Sequence, residues 1–328
     1  MDIINKPLGW VLESIAGFMG GNFAASIFLF TLLINLALIP LSIKSQKSSV
    51  QQTRIKPKLD ELKKRYGDDR QKFAQAQQKL YQDENISMSG GCLPLILRLV
   101  LMMCIYTIIL SPLKYLMNAD KADINTIKTS PAVVEILDEK NVTELSIIEA
   151  VESKKLTADK IPNAKDDKEQ KNAEEVRNAI NRISEKVEES DLDFNFIGIN
   201  LTDKPKFSIN IFKDFQLNWL MPLIAFAAQI LSSLLSMMMQ KKINPDAPSM
   251  GGMLLMMPLF SLYIGFTLSC GVTFYWACSS LIGGLIQTAV QFYYGPHKML
   301  ARERFKELNK QCDFEEGQIK KIGTDAAE

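Results

Sequence analysis

The chain segregates its charges. Residues 23–43, 217–239 and 250–294 contain no Asp, Glu, Lys or Arg, and 93–112 contain one, Arg98. The averages hide this: 47% apolar and 23% charged residues describe an ordinary soluble protein. A hydrocarbon core of about 30 Å takes about 20 apolar residues as helix. Each run is therefore long enough to cross a bilayer once, and the last is about two spans long. A turn must divide it, and Ser269-Cys270-Gly271 is the place. The predicted spans are 23–43, 93–118, 217–240, 252–268 and 271–294. The fourth is short, about 25 Å of helix, and a short span thins the bilayer around it. Several uncharged stretches of this length do not occur together in one soluble domain. The first run lacks the small-x-small site and basic flank of a cleavable signal peptide.

Basic residues near span ends stay cytoplasmic. Segment 44–92 carries 11 Lys/Arg against 6 acidic residues, Lys241 and Lys242 follow the third span, and the tail opens with Lys298, Arg302, Arg304 and Lys306. This puts 44–92, 241–251 and 295–328 inside. The N-terminal 1–22 and the long segment 119–216, with 15 basic and 21 acidic residues, fall outside; long loops translocate largely regardless of charge.

In the N-terminal segment, Leu8, Val11, Leu12, Ile15 and Met19 recur at helical spacing, and Gly17, Gly20 and Gly21 separate them from the first span. The pattern predicts an amphipathic helix at the outer membrane surface. Within 44–92, Leu59, Leu62 and Tyr66 form one sparse apolar stripe and Phe73, Ala76 and Leu80 another, with Gly67-Asp68-Asp69 between them. That spacing predicts a cytoplasmic helical hairpin, whose charges suit anionic lipid or RNA-bearing partners or are simply a solvated face. Segment 119–216 reads as a helical extracytoplasmic insertion. Pro131 starts one helix, Leu145, Ile147, Ile148 and Val151 belong to another, and Val176, Ala179, Ile180, Ile183 and Val187 mark a third.

The chemistry of most enzyme classes is absent. There is no Gly-rich phosphate loop, GxSxG or HExxH. One histidine, His297, excludes a multi-His metal centre, and five cysteines (92, 104, 270, 278 and 312) show no CxxC spacing. A net charge of +1 argues against a dedicated nucleic-acid binder. Ser232, Ser233 and Ser236 suit helix packing better than nucleophilic catalysis. No span holds a carboxylate, which a proton-coupled transporter usually needs.

The polar residues inside the predicted spans are Asn35, Arg98, Gln229, Ser279, Ser280, Gln287 and Gln291. A charge at mid-bilayer costs about 2.5–3.5 kcal/mol on the insertion scale. Arg98 therefore either faces protein or water, or snorkels to the headgroups. Counted along straight helices, it lies roughly 9 Å from the cytoplasmic edge, and Asn35 roughly 12 Å from it. Gln229 comes near mid-bilayer. These groups either line one cavity that opens inward or make hydrogen bonds between helices.

Several motifs in order carry a resemblance: Pro7-Leu8-Gly9-Trp10, Thr31 to Leu41, Lys56 to Asp69, Gly90 to Leu95, Met257 to Phe260, Ser269-Cys270-Gly271 and Phe274-Tyr275-Trp276. Over most of 1–118 and 192–310 the chain resembles the YidC/Oxa/Alb membrane protein insertases in their five-span form. The resemblance implies a bacterial plasma-membrane bundle with a hydrophilic groove, open to cytoplasm and lipid and closed outside. It implies insertion and folding of small membrane proteins with no nucleotide, metal or other cofactor and no chemical active site. The partners it implies are nascent membrane proteins and lipids, together with the ribosome, the signal recognition particle pathway and the Sec translocon. The groove residues are then Arg98, Asn35, Gln229, Trp276, Ser280 and Gln287. Two features depart from the family. Asn35 stands where the family's groove arginine lies, and Arg98 where a glutamine is usual, so the positive charge has moved to the neighbouring helix. The outer insertion, about 120–190, also exceeds minimal members. The alternative from another class, a small-solute transporter or channel, predicts intramembrane carboxylates or an inverted repeat, and the sequence has neither. An intramembrane enzyme would need a nucleophile–base pair, which is missing too.

Overall fold

The computed structural model describes residues 2–67, 69–84, 93–163, 167–205, 216–243, 251–295, 298, 301, 305 and 308–316, without the side chains of some of them, Arg98 and Lys242 included. Thirteen α-helices and one two-stranded hairpin are found among these residues. The chain divides into two compact units. The first comprises Met1–Leu36, Arg98–Leu234 and Ser249–Gly284, and the second Ala37–Leu97, Leu235–Pro248 and Leu285–Glu328.

The first unit begins with α1 (Asp2–Phe18), one turn longer at its start than the apolar pattern alone suggests. Its stripe faces the protein: Leu12 and Ile15 are buried, while Leu8, Val11 and Met19 pack partly against the same core. Trp10 and Phe18 are exposed instead. Gly20 and Gly21 then adopt positive φ, which only glycine takes at little cost. At Gly21 a Cβ would come within 1.8 Å of the Asp191 carbonyl oxygen. This turn separates α1 from α2 (Phe23–Ala37). The chain breaks again at Leu38, before α3 (Ile39–Tyr66), with Pro40 in the first turn, where its missing N–H leaves nothing unpaired.

After α5 (Leu93–Leu110) and the single turn α6 (Pro112–Tyr115), the insertion forms α7 (Lys121–Thr129), α8 (Pro131–Leu137), α9 (Glu144–Glu152) and α10 (Asp167–Glu189). Local chemistry fixes the starts. The Asp120 carboxylate accepts from Ala122 N–H, and Thr143 and Ser146 cap α9 reciprocally. Ile127, Val133, Ile147, Ile148, Ala179, Ile180 and Ile183 share one core with Leu12, Phe23, Phe30 and Ile108. The insertion is thus continuous with the packing of α1, α2 and α5. Asp123 on α7 accepts from Arg182 Nε at 2.8 Å and from its terminal nitrogen at 2.5 Å, which ties α7 to α10.

The hairpin β1 (Asn195–Phe196) and β2 (Ile199–Asn200) turns through Ile197 and Gly198, both at positive φ. Its flanks are bonded on two sides. Phe23 N–H donates to the Asp193 carbonyl at 3.0 Å and Asp193 N–H to the Gly21 carbonyl at 2.9 Å. The N–H groups of Cys270 and Gly271 donate to the carbonyls of Asp203 and Leu201, both at 2.8 Å. These last two bonds satisfy donors that the first turn of α13 (Cys270–Tyr293) leaves free. Phe196 packs on Phe274 and Phe23 on Phe194, each pair with centroids 4.8 Å apart.

In the second unit, α3 and α4 (Arg70–Asp83) form a helical hairpin. Asp69 starts α4 by accepting from Gln71 and Lys72 N–H, and Lys58 pairs with Glu84. Positions 68 and 85–92 lie outside the described residues, as do most of the loop 241–251 and most of the tail 295–328.

Among the described residues one helix, Leu217–Met239, is long and apolar enough to cross a membrane. A second is counted if Phe23–Ala37 and Ile39–Ser48 are one broken span, and Leu99–Leu110 is a shorter apolar helix.

Candidate functional site

Four helices and the turn at Leu268 build a cavity of about 570 Å³ within the first unit. From α5 come Met102, Met103 and Tyr106; from α11 (Leu220–Ile243), Gln229; from α12 (Gly251–Gly265), Phe260, Ser261 and Ile264; and from α13, Trp276, Ser279 and Ser280 with their neighbour Tyr275. Trp276, Ser279 and Ser280 stand at i, i+3 and i+4, so α13 turns one face to the cavity. The lining is mostly apolar, and its polar groups, Tyr106, Gln229, Ser261, Tyr275, Trp276, Ser279 and Ser280, are uncharged.

The polar groups are organised around Ser261. Its Oγ lies 2.5 Å from Gln229 Oε1 and 2.8 Å from the Pro258 carbonyl oxygen. A hydroxyl has one proton. It serves both contacts only if the Gln229 amide is turned so that its NH₂ donates to Ser261 while Ser261 donates to Pro258. Amide orientation is an assignment of this kind. That arrangement leaves the Gln229 carbonyl oxygen without the serine proton. Trp276 adds a second polar feature: its Nε1 is buried with no acceptor among the described residues. A buried unpaired donor costs about 1–3 kcal/mol.

Close helix contacts support the wall. At Gly284 on α13 a Cβ would stand 2.3 Å from Ser232 Oγ and 2.9 Å from Ser232 Cβ, so α11 and α13 meet there without room for a methyl group. At Gly265 a Cβ would approach Pro222 Cβ to 3.2 Å. Trp219 meets Phe266 edge-on with centroids 5.8 Å apart.

The groove residues expected from the sequence do not all meet here. Gln229, Trp276 and Ser280 line the cavity together. Asn35 is half-buried in the last turn of α2, and its side-chain amide donates to the Thr31 carbonyl at 2.8 Å. The break at Leu38 falls between Asn35 and Ile43, so the depth count along one straight helix does not carry across it. Gln287 is half-buried in the second unit. Arg98 lies on α5, with its side chain outside the described residues. Met102, Met103, Tyr106 and Ser261 line the cavity without having been singled out in the sequence. For Ser261 there was a signal, its place three residues after a proline inside a helix. Met238, in the run Met237–Met239, and Met256, in the Met-rich stretch 253–257, are exposed.

The sequence profile of the 60Kd inner membrane protein family, the YidC/Oxa1/Alb3 insertases, matches residues 14–296. The chain belongs to this family. It is 38% identical over 110 residues to the membrane protein insertase YidC of Alkalilimnicola ehrlichii, a match that covers 34% of this chain and 19% of that protein. To YidC of Ectopseudomonas mendocina it is 40% identical over 105 residues, 32% of this chain and 18% of the relative. To YidC of Cellvibrio japonicus it is 42% identical over 107 residues, 33% and 19% respectively. The chain thus spans about a fifth of the length of these curated relatives.

Proposed function

We propose that this chain is a membrane protein insertase and chaperone. In this reading it forms a five-span bundle in a bacterial plasma membrane, with the N-terminus and the insertion outside, and the α3–α4 hairpin and C-terminus in the cytoplasm. The cavity between α5, α11, α12 and α13 is the single observation that carries the reading. It places uncharged hydrogen-bonding groups on an otherwise apolar wall among the helices assigned to the membrane.

Moving a hydrophilic segment through lipid strands polar groups at several kcal/mol each. A polar recess within the bilayer shortens the hydrocarbon path, and apolar parts of the substrate then partition sideways into lipid, which supplies the driving force. Gln229, Ser261, Ser279 and Ser280 offer replacement hydrogen bonds along the way. A guanidinium in low dielectric attracts acidic residues of the incoming segment more strongly than it would in water. Arg98 takes that role here, in place of the arginine the family carries at the position of Asn35. The bonds from Cys270 and Gly271 to the 201–203 segment support closure on the outer side. Nascent membrane proteins are the substrates. The hairpin receives them or their delivery factors from the signal recognition particle pathway, the start of the tail touches the ribosome, and the chain works alone or beside the Sec translocon. Gln287 stands seven residues beyond Ser280 on α13. No catalytic step or cofactor enters.

Reconstitution in liposomes tests the reading. The purified chain should integrate a small single-span protein without added nucleotide, measured as protease-protected fragment. Equal protection in empty liposomes would remove the proposal.

A further inference from the structure

The exposed face of α13 runs into basic chemistry at its C-terminal end. Leu281, Leu285 and Phe292 are exposed at intervals of four and seven residues, which is one side of the helix. Beyond them Lys298 Nζ lies 4.2 Å from the Phe292 ring centroid and 5.9 Å from that of Tyr293. From α3, Lys47 Nζ reaches within 6.0 Å of the Tyr294 ring centroid. The Phe292 and Tyr293 rings meet edge to face at 5.5 Å and remain 58% and 64% exposed. Both lysines are exposed, and among the described residues neither is paired with a carboxylate.

Length decides what fits. Leu281 to Phe292 is eleven residues, about 16.5 Å of helix, against about 15 Å for one leaflet of the hydrocarbon core. With α13 read as a spanning helix, the apolar face is one acyl chain long, the three aromatic residues come at the interfacial level where such rings collect, and the ammonium groups at headgroup height. An acidic peptide would satisfy the lysines and leave the apolar face bare. A zwitterionic lipid would cover the face and offer no net charge to the lysines.

We propose that this end of α13 is a binding site for one anionic phospholipid. Its phosphate is held by Lys47 and Lys298, its glycerol backbone lies against Phe292, Tyr293 and Tyr294, and an acyl chain follows Leu285 and Leu281. The site rests on the reading of α13 as a spanning helix. It goes beyond insertion, because it makes the chain selective for the lipid around it.

The test uses the full chain extracted into detergent, with bound lipid counted by native mass spectrometry after exposure to equal phosphatidylglycerol and phosphatidylcholine. Wild-type protein should retain phosphatidylglycerol roughly tenfold better. The pair Lys47→Gln and Lys298→Gln should abolish that preference, and the pair Lys47→Arg and Lys298→Arg should keep it. Lys63→Gln with Lys64→Gln, on the exposed last turn of α3, should leave it unchanged. An undiminished preference in the first pair overturns the site, and so does an equal loss in the Lys63/Lys64 control, which would mean diffuse charge. Displacement of the lipid by glycerol 3-phosphate at equal concentration also overturns it, since phosphate alone would then suffice. Carbonate extraction separates the two readings: a chain that leaves the membrane refutes the spanning helix, and a chain that stays with an unaltered preference refutes only the lipid site.

Discussion

The Ser261 hydroxyl sits 2.5 Å from the Gln229 side-chain oxygen and links α12 to α11 across the wall of the cavity. Ser261→Ala removes the hydroxyl and leaves the Gln229 amide facing an apolar wall. A hydrogen bond of this kind contributes about 0.5–1.5 kcal/mol net, so thermal unfolding in detergent should show a loss of about 1 kcal/mol. Gln229→Leu should cost a similar amount, and the double variant less than the sum, because both remove one interaction. Strict additivity would mean that the two groups act separately.

Gly284 gives a sharper steric prediction. A methyl group there collides with Ser232 Cβ as well as Oγ, and turning the hydroxyl away relieves only one of the two contacts. Gly284→Ala should destabilise by about 1–3 kcal/mol through overpacking. Ser232→Gly in the same chain should recover most of the loss. The measurement is unfolding midpoint for the two single variants and the double.

The same residues mark how far the sequence could be read. The charge-free runs, the break before Cys270 and the hairpin turn near Gly67 were legible because uncharged length and turn chemistry are local properties. The break at Leu38 was not, since Pro40 sits inside an uncharged run that hydropathy reads as continuous. The direction of the α1 stripe was hidden as well. Leu12 and Ile15 are spaced as a membrane-facing helix would space them, yet they pack into a core supplied partly by residues of the insertion, more than 100 positions away. At the cavity, Trp276 and Gln229 were found by residue type and family pattern, whereas Ser261 and Tyr106 look like ordinary span residues until four helices bring them together. Asn35 drew attention as an isolated polar residue, and its bond to Thr31 one turn back is available to any helix.

The insertion should respond to pH in two opposite ways. Glu144, at the start of α9, is buried, with its side chain 5% exposed. Burial raises its carboxyl above the usual range, against the pull of Lys128 and the bond from Lys114 N–H. A raised folded value means that Glu144 favours the folded state most at low pH, and the contribution is lost as pH rises from the ordinary carboxylate value through the folded one. Glu144→Gln should therefore flatten stability in that window without a loss at pH 7. Asp123 behaves oppositely. The Arg182 bonds lower its carboxyl, so its contribution is present above the ordinary value and lost as pH falls. Asp123→Asn should cost about 1 kcal/mol at pH 7, modest because Arg182 is largely exposed, and progressively less as pH falls below the ordinary carboxylate value. Unfolding of both variants across pH 3–8 checks the signs.

The last prediction concerns the displaced charge. If Arg98 supplies the attraction that the family assigns to the position of Asn35, charge matters more than the helix that carries it. Arg98→Ala should fail to support growth when the resident insertase is depleted. Arg98→Lys should support it partly, because an ammonium keeps the charge and loses the planar fork of donors. The decisive chain carries Asn35→Arg together with Arg98→Ala: it returns the charge to the first span and should restore insertion of a substrate with an acidic translocated segment. Growth of the alanine variant at the wild-type rate would show that the groove works without this guanidinium, and the attraction of acidic segments would then have to come from another cation.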